Sequence, residues 1–251
     1  HTYRWRDSED IFRLLQISGW KLRLQRLRTT DAGKLVGSKK MTSFSDNFES
    51  GNLVNWTATE VGSGDTIAAS SARANNGTYS AKIVTNGVPD DYADAYKDLW
   101  GSPYPTEGWM RAYVNVDSHG LASGQLATLF SLANSVGNPR MGVCIYNDAG
   151  TLYFRAIFPG AAMSGNLQQC VLDTWYCIEV HVRVTAAGAR TLWIAGVQKY
   201  SSTGNYTDNL RYVYCGPNSG WADNAITVYE DDVVVNDTGY IGPIQNYAFI
   251  L

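Results

Sequence analysis

The sequence predicts an all-β chain, a two-sheet antiparallel sandwich of jelly-roll type, preceded by a basic arm. Three observations predict it. Apolar and polar residues alternate with a period of two through most of the chain after Phe44, as a sheet with one face on a core requires. Turn signals separate those runs at short spacing, and no long 3.6-residue stripe of apolar residues intervenes, which leaves a sandwich rather than an α/β fold. With 251 residues, 45% of them hydrophobic and 17% charged, the chain can bury a sizeable core and is not disordered.

Residues 1–40 form the arm. They carry ten Lys/Arg against four Asp/Glu, whereas the remaining residues carry ten against nineteen. A basic arm before an acidic body suits a solvated extension, a contact with another copy's acidic body, or an anionic partner. No nucleic-acid module signature accompanies it, so nucleic acid is not the expected partner. Within the arm, residues 8–17 read as a short helix, with Asp7 or Ser8 as cap and Gly19 as stop. Trp20–Leu24 alternates as a strand, and residues 29–40 read as a polar linker. His1 opens no signal peptide, and no run is long and apolar enough for a transmembrane helix.

The body, residues 41–245, contains the strands. Met110, Ala112, Val114 and Val116 alternate with Arg111, Tyr113 and Asn115. Leu152–Phe158 does the same. Tyr176, Ile178, Val180 and Val182 alternate with Cys177, Glu179, His181 and Arg183. Further strands are expected at 78–85, 126–133, 141–146, 191–195, 210–215 and 226–236, with turns at Asn76-Gly77, Asn86-Gly87, Asp148-Ala149-Gly150, Ala187-Gly188 and Ala195-Gly196. The acidic run Asp90-Asp91-Tyr92-Ala93-Asp94 reads as a loop. Residues 246–251 form an apolar tail able to lie in a neighbour's groove or sheet edge. Arm and tail together suggest a homo-oligomer or a surface filament.

Four cysteines, Cys144, Cys170, Cys177 and Cys215, allow three pairings. Cys177 falls on the polar face of its strand, where an exterior disulfide would account for it; four reduced cysteines filling small core spaces are the alternative. The absence of Cys-x-x-Cys and the scatter of three His argue against zinc. Sequons at Asn55, Asn76, Asn205 and Asn236 permit glycosylation without arguing for it.

Two segments carry a family resemblance: Phe44-Ser45-Asp46-Asn47-Phe48-Glu49-Ser50-Gly51, continuing to Trp56, and Thr227-Val228-Tyr229-Glu230-Asp231-Asp232-Val233, continuing to Gly239-Tyr240-Ile241-Gly242-Pro243. Between them stand Trp175-Tyr176-Cys177-Ile178-Glu179 and Leu192-Trp193-Ile194-Ala195-Gly196-Val197. The set resembles the LamG-like jelly rolls of the concanavalin A-like lectin/glucanase superfamily, over about residues 44–243. Ala195 departs from the usual turn acid, and Glu230 stands where an aromatic is commoner. The resemblance implies two sheets whose first and last strands pair, and a structural Ca²⁺. Asp46, Glu49, Asp231 and Asp232 would supply its carboxylates from the two chain ends. Strict alternation lets only one of Asp231 and Asp232 face that site; solvated acids guarding an edge strand are the alternative.

For function, the sequence reading favours a non-catalytic surface or extracellular module, on a cell or a virion, that binds a glycan or cell-surface polymer. Exposed aromatics with nearby amides and acids suit sugar stacking, and Trp221, Asp223, Asn224, Trp193 and Tyr206 are the candidates. A structural subunit of a filament or particle is the first alternative, and a polysaccharide lyase or glycoside hydrolase the second. No Glu-x-Asp-x-x-Glu strand is present to serve a glycosidase. Glu179, His181 and Arg183 share a strand face and could serve a lyase, although a polar outward face is the simpler account.

Overall fold

The computed structural model describes residues 43–88, 92–159, 162–218 and 224–244, and the backbone of 11–13 and 25–27. The chain divides into two units, residues 1–40 and 41–251. In the first, strands β1 (Ile11–Arg13) and β2 (Gln25–Leu27) pair antiparallel. This corrects the expected helix over 8–17, at least across its centre: strand pairing replaces the capped turn. The rest of the arm, the strand expected at Trp20–Leu24 and the tail 246–251 lie outside the described residues.

The body is all β and holds two antiparallel sheets. The eight-stranded sheet contains β5 (Thr66–Ser70), β6 (Ser80–Thr85), β8 (Glu107–His119), β13 (Trp175–Arg183), β14 (Gly188–Ile194), β15 (Val197–Gly204) and β17 (Ile226–Asn236), with β3 (Ser43–Asp46) paired to β17. Its order is β15-β14-β13-β8-β17-β6-β5. The seven-stranded sheet contains β4 (Ala58–Val61), β7 (Ala93–Asp98), β9 (Leu126–Ala133), β10 (Pro139–Asp148), β11 (Thr151–Ile157), β12 (Gln168–Gln169) and β16 (Tyr212–Cys215). Its order is β12-β11-β10-β9-β16-β7-β4. One core lies between the sheets. Ile178, Val180 and Val182 face it from one side, and Met141, Val143 and Ile145 from the other, so the period-two runs become burial.

The first and last strands pair as expected, Val233 opposite Asp46 and Asn236 opposite Ser43. The two segments of the resemblance form one knot. Asp46 accepts hydrogen bonds from Phe48 N at 2.9 Å and Trp56 Nε1 at 3.0 Å, and Phe44 meets Trp56 edge-on at 4.9 Å. Strict alternation fails at Asp231-Asp232. A register shift lies there, and Asp232 takes φ +48°, a left-handed conformation that Asp tolerates better than most residues. Both acids consequently reach Asn75: Asp231 accepts from its backbone N at 2.8 Å, Asp232 from its side-chain Nδ2 at 3.1 Å.

Asp94 is not in a loop, as the acidic run suggested, but in β7 and fully buried. Nor is Cys177 explained by a disulfide. All four cysteines are free and buried. Cys177 lies under the chain's last described segment: Ile241 N and Gly242 N each donate to Glu179 at 2.8 Å, and Ile244 N donates to the Tyr113 hydroxyl at 2.9 Å. That strap lies across the outer face of the eight-stranded sheet.

Candidate functional site

The strap settles what the Glu179 strand does. Both Glu179 oxygens hold the strap. His181 stacks on Trp109 at 4.4 Å and bonds Glu107 at 2.9 Å, while Arg183 donates to its own hairpin at Ala187 O. Burial lowers the His181 pKa. The trio is engaged within its own chain, and the strap covers the outer face of this sheet at β8, β13 and β14.

The carboxylates expected to bind calcium are likewise engaged. Glu49 Oε1 accepts from Thr78 N at 2.8 Å and Tyr79 N at 2.7 Å; Asp231 accepts from Asn75, Asn76 and Asp232 backbone N–H groups. These acids meet the positive ends of N–H dipoles and staple the 73–79 loop to the sheet. Among the described residues no group of three or more His, Cys, Asp or Glu is arranged to hold a metal ion.

Of the expected sugar-binding residues, Trp221 and Asp223 lie outside the described residues. Asn224 is buried and spends Nδ2 on Leu126 O at 2.9 Å. Trp193 is half-buried and packs on Tyr240 at 5.1 Å as part of the strap contact. Tyr206 does line a cleft, discussed below. Asn55, Asn76 and Asn205 are exposed, whereas Asn236 caps a turn by accepting from Thr238 N and Gly239 N.

The outer face of the seven-stranded sheet has a different character. Inward residues of β7 and β16, such as Ala95 and Val213, belong to the core, so Asp94, Tyr96, Tyr212 and Tyr214 point the other way. Register then sets two cross-strand rows. Glu60 sits opposite Asp94. Tyr96 sits opposite Tyr214, which sits opposite Ser131. The three tyrosines form one cluster, with Tyr96 5.8 Å from Tyr212 and 6.0 Å from Tyr214. A cleft of about 250 Å³ opens beside them, lined by Glu60, Tyr214, Asn218 and the 136–139 turn.

This face concentrates buried polar atoms with no partner among the described residues: both Asp94 oxygens, Thr128 Oγ1, Ser131 Oγ and Asn218 Oδ1. Burying a polar group without a hydrogen bond costs about 1–3 kcal/mol each, so each such group calls for an explanation, and a catalytic role is one. Burial, and then the charge of Glu60, raise the Asp94 pKa to about 8. Burial, with Asp94 and Glu60 next, raises that of Tyr214. The arrangement therefore offers a carboxyl poised near neutral pH and a phenol held protonated. Linear motifs could not reveal it, because Glu60 and Asp94 meet only through strand pairing. The one available signal was the alternation of Asp94 with Ala93 and Ala95.

No family model matches the chain, and no curated protein matches it in sequence. Solved structures do match. A cellulose-induced protein aligns over 80% of this chain and 99% of its own, with TM-score 0.61 and 17% identity. An endo-β-1,4-glucuronan lyase of the fungus Trichoderma reesei aligns over 78% and 96%, with TM-score 0.62 and 16% identity. A carbohydrate esterase of a Shiga toxin-encoding bacteriophage aligns over 79% and 98%, with TM-score 0.55 and 16% identity. At these identities the likeness establishes the fold alone, a jelly-roll β-sandwich. It also corrects the expectation of a non-catalytic module, since solved structures of this fold that the chain resembles include a lyase and an esterase.

Proposed function

We propose that the chain is a polysaccharide-cleaving enzyme, a lyase acting on a uronate-containing polymer at the outer face of the seven-stranded sheet. The observation that carries this reading is Asp94, buried beside Glu60 and Tyr214 without a hydrogen-bond partner among the described residues. β-Elimination needs a base for the C5 proton next to the uronate carboxylate and an acid for the departing O4. Asp94, with its pKa raised to about 8, is a stronger base than an ordinary carboxylate and takes the C5 proton. The C–H electron pair forms the C4=C5 double bond, and the C4–O4 bond breaks. Tyr214, kept as the phenol, protonates O4. The Tyr96 and Tyr212 hydroxyls are neutral donors available to the uronate carboxylate, whose developing negative charge must be stabilised. The LamG-like kinship belongs to this reading and is supported by the pairing of Val233 with Asp46. A polymeric glycan substrate places the work outside the cell or on a particle surface.

A glycoside hydrolase is the second reading, favoured by Glu60 standing directly across from Asp94. A pair of carboxyls can serve as the acid and the base of that reaction. A polysaccharide panel separates the two. Unsaturated uronates, seen by ultraviolet absorbance, support the lyase. New reducing ends without that absorbance support the hydrolase. No product from any anionic or neutral polymer, with folded protein, would refute both.

A further inference from the structure

We infer a second sugar site, selective for an anionic substituent, in the cleft between Arg140, Arg190 and the Asn205–Asp208 loop. Its identity as a sugar site rests on the polysaccharide reading above; its preference for an oxyanion does not. The cleft holds about 460 Å³, within the ~300–1,000 Å³ typical of small-molecule sites. Arg140, Pro159, Arg190, Asn205, Tyr206 and Asp208 line it.

Its charge is unbalanced. Arg140 Nε lies 2.5 Å from Asp208 Oδ2, which offsets the charge of that pair. Arg190 has no acidic partner among the described residues. Its Nε donates to Arg140 O at 3.1 Å, and its Cζ lies 3.7 Å from the centre of the Tyr206 ring and 5.1 Å from that of Phe158. Arg190 is half-buried, so its charge is poorly solvated, and Arg140 repels it further. A planar guanidinium held against an aromatic ring, with no acidic partner among the described residues, matches a carboxylate or sulfate. The Tyr206 ring and the Asn205 amide supply the apolar face and polar rim that a sugar needs. The site adjoins the first: Pro139 lines the Glu60–Tyr214 cleft and the next residue, Arg140, lines this one. A chain bound at both would present a charged sugar to Arg190 while a neighbouring unit lies over Asp94.

Two sources of the oxyanion are possible, a uronate carboxylate or a sulfate ester, and the test separates them. Calorimetry is performed on the full chain carrying Asp94→Asn, so that binding is read without turnover. The protein is made without N-glycosylation, because a glycan on Asn205 would fill the cleft mouth. The probes are a glucuronan tetrasaccharide, a sulfated galactan tetrasaccharide and neutral cellotetraose. Binding of either anionic probe, with cellotetraose much weaker, supports the site and identifies the group. Arg190→Gln should weaken that binding about tenfold or more, the scale of one lost charge-assisted hydrogen bond. Thr207→Glu, on the exposed rim, should do the same without touching packed residues, which keeps the test decisive if Arg190→Gln does not fold. Equal binding of neutral and anionic probes, or Thr207→Glu unchanged, overturns the site. Cleavage by the wild-type chain with no such selectivity would overturn this site alone, whereas selective binding without cleavage would overturn the lyase reading alone.

Discussion

Replacing Asp94 by Asn should make the protein more stable at pH 8 while destroying its activity. The folded-state pKa of Asp94 is raised from 3.8 to about 8. The folded protein thus binds more protons than the unfolded chain between those values, and stability falls as pH rises through that window. At ~1.4 kcal/mol per pH unit, the full displacement is an upper bound near ~6 kcal/mol; water entry and local relaxation on ionisation reduce it to a few. Between pH 5 and pH 8 the loss from this one group is at most ~4 kcal/mol. Glu230, buried in the core with its pKa raised to about 8 by desolvation, contributes a similar slope. Denaturant titrations at pH 5, 6.5 and 8 should show the wild type losing several kcal/mol across this range. Asp94→Asn should lose about half as much, because Asn has no charge to desolvate and Glu230 still titrates. Parallel stability curves for the two proteins would refute the claim that Asp94 is held protonated by burial.

Other outcomes follow from the same geometry. Tyr214→Phe keeps the ring contacts with Tyr96 and removes the proton donor, so kcat should fall ~10²–10⁴-fold with the melting temperature little changed; an unchanged kcat would remove Tyr214 from the reaction. Gly77→Ala should destabilise by ~1–3 kcal/mol, because Gly77 has φ +75° and an added Cβ would stand 2.5 Å from the Glu49 carboxylate; a thermal melt reads this directly. Glu179→Ala should free the strap and expose Cys177, which is 8% exposed with its thiol pushed up to about 11. A thiol reagent should then label Cys177 faster than in the wild type, and an equal labelling rate would show that the strap does not depend on Glu179.

The sandwich was legible because its central strands are half-buried. Expected runs at 126–133 and 226–236 match β9 and β17 to the residue. The strands that went unread were those whose sequence carries no such contrast. β4 is exposed throughout and β15 nearly so, as edge strands are, and an edge strand has little apolar face to betray it. β7 was hidden because Asp94 belongs to an acidic run that looks like a solvated loop. Its burial depends on β4 and β16 flanking it, which no local pattern encodes. The carboxylates of the resemblance were found near one another, yet their lone pairs go to backbone N–H groups supplied by the 73–79 loop, a detail of loop geometry. The same limit governed the functional site. Alternation places Tyr96, Tyr212 and Tyr214 on one face only once strand order is known, and that order joins β7 to β16 across more than a hundred residues.

The most direct test of the account compares the two sheet faces in one assay. Unsaturated-product formation on the polymer the wild type cleaves best is measured for Asp94→Asn and for His181→Gln. Loss of ~10² or more in kcat for Asp94→Asn, with His181→Gln near wild type, is the predicted result. Full activity in Asp94→Asn, or loss confined to His181→Gln, would place the chemistry on the eight-stranded sheet and contradict the account.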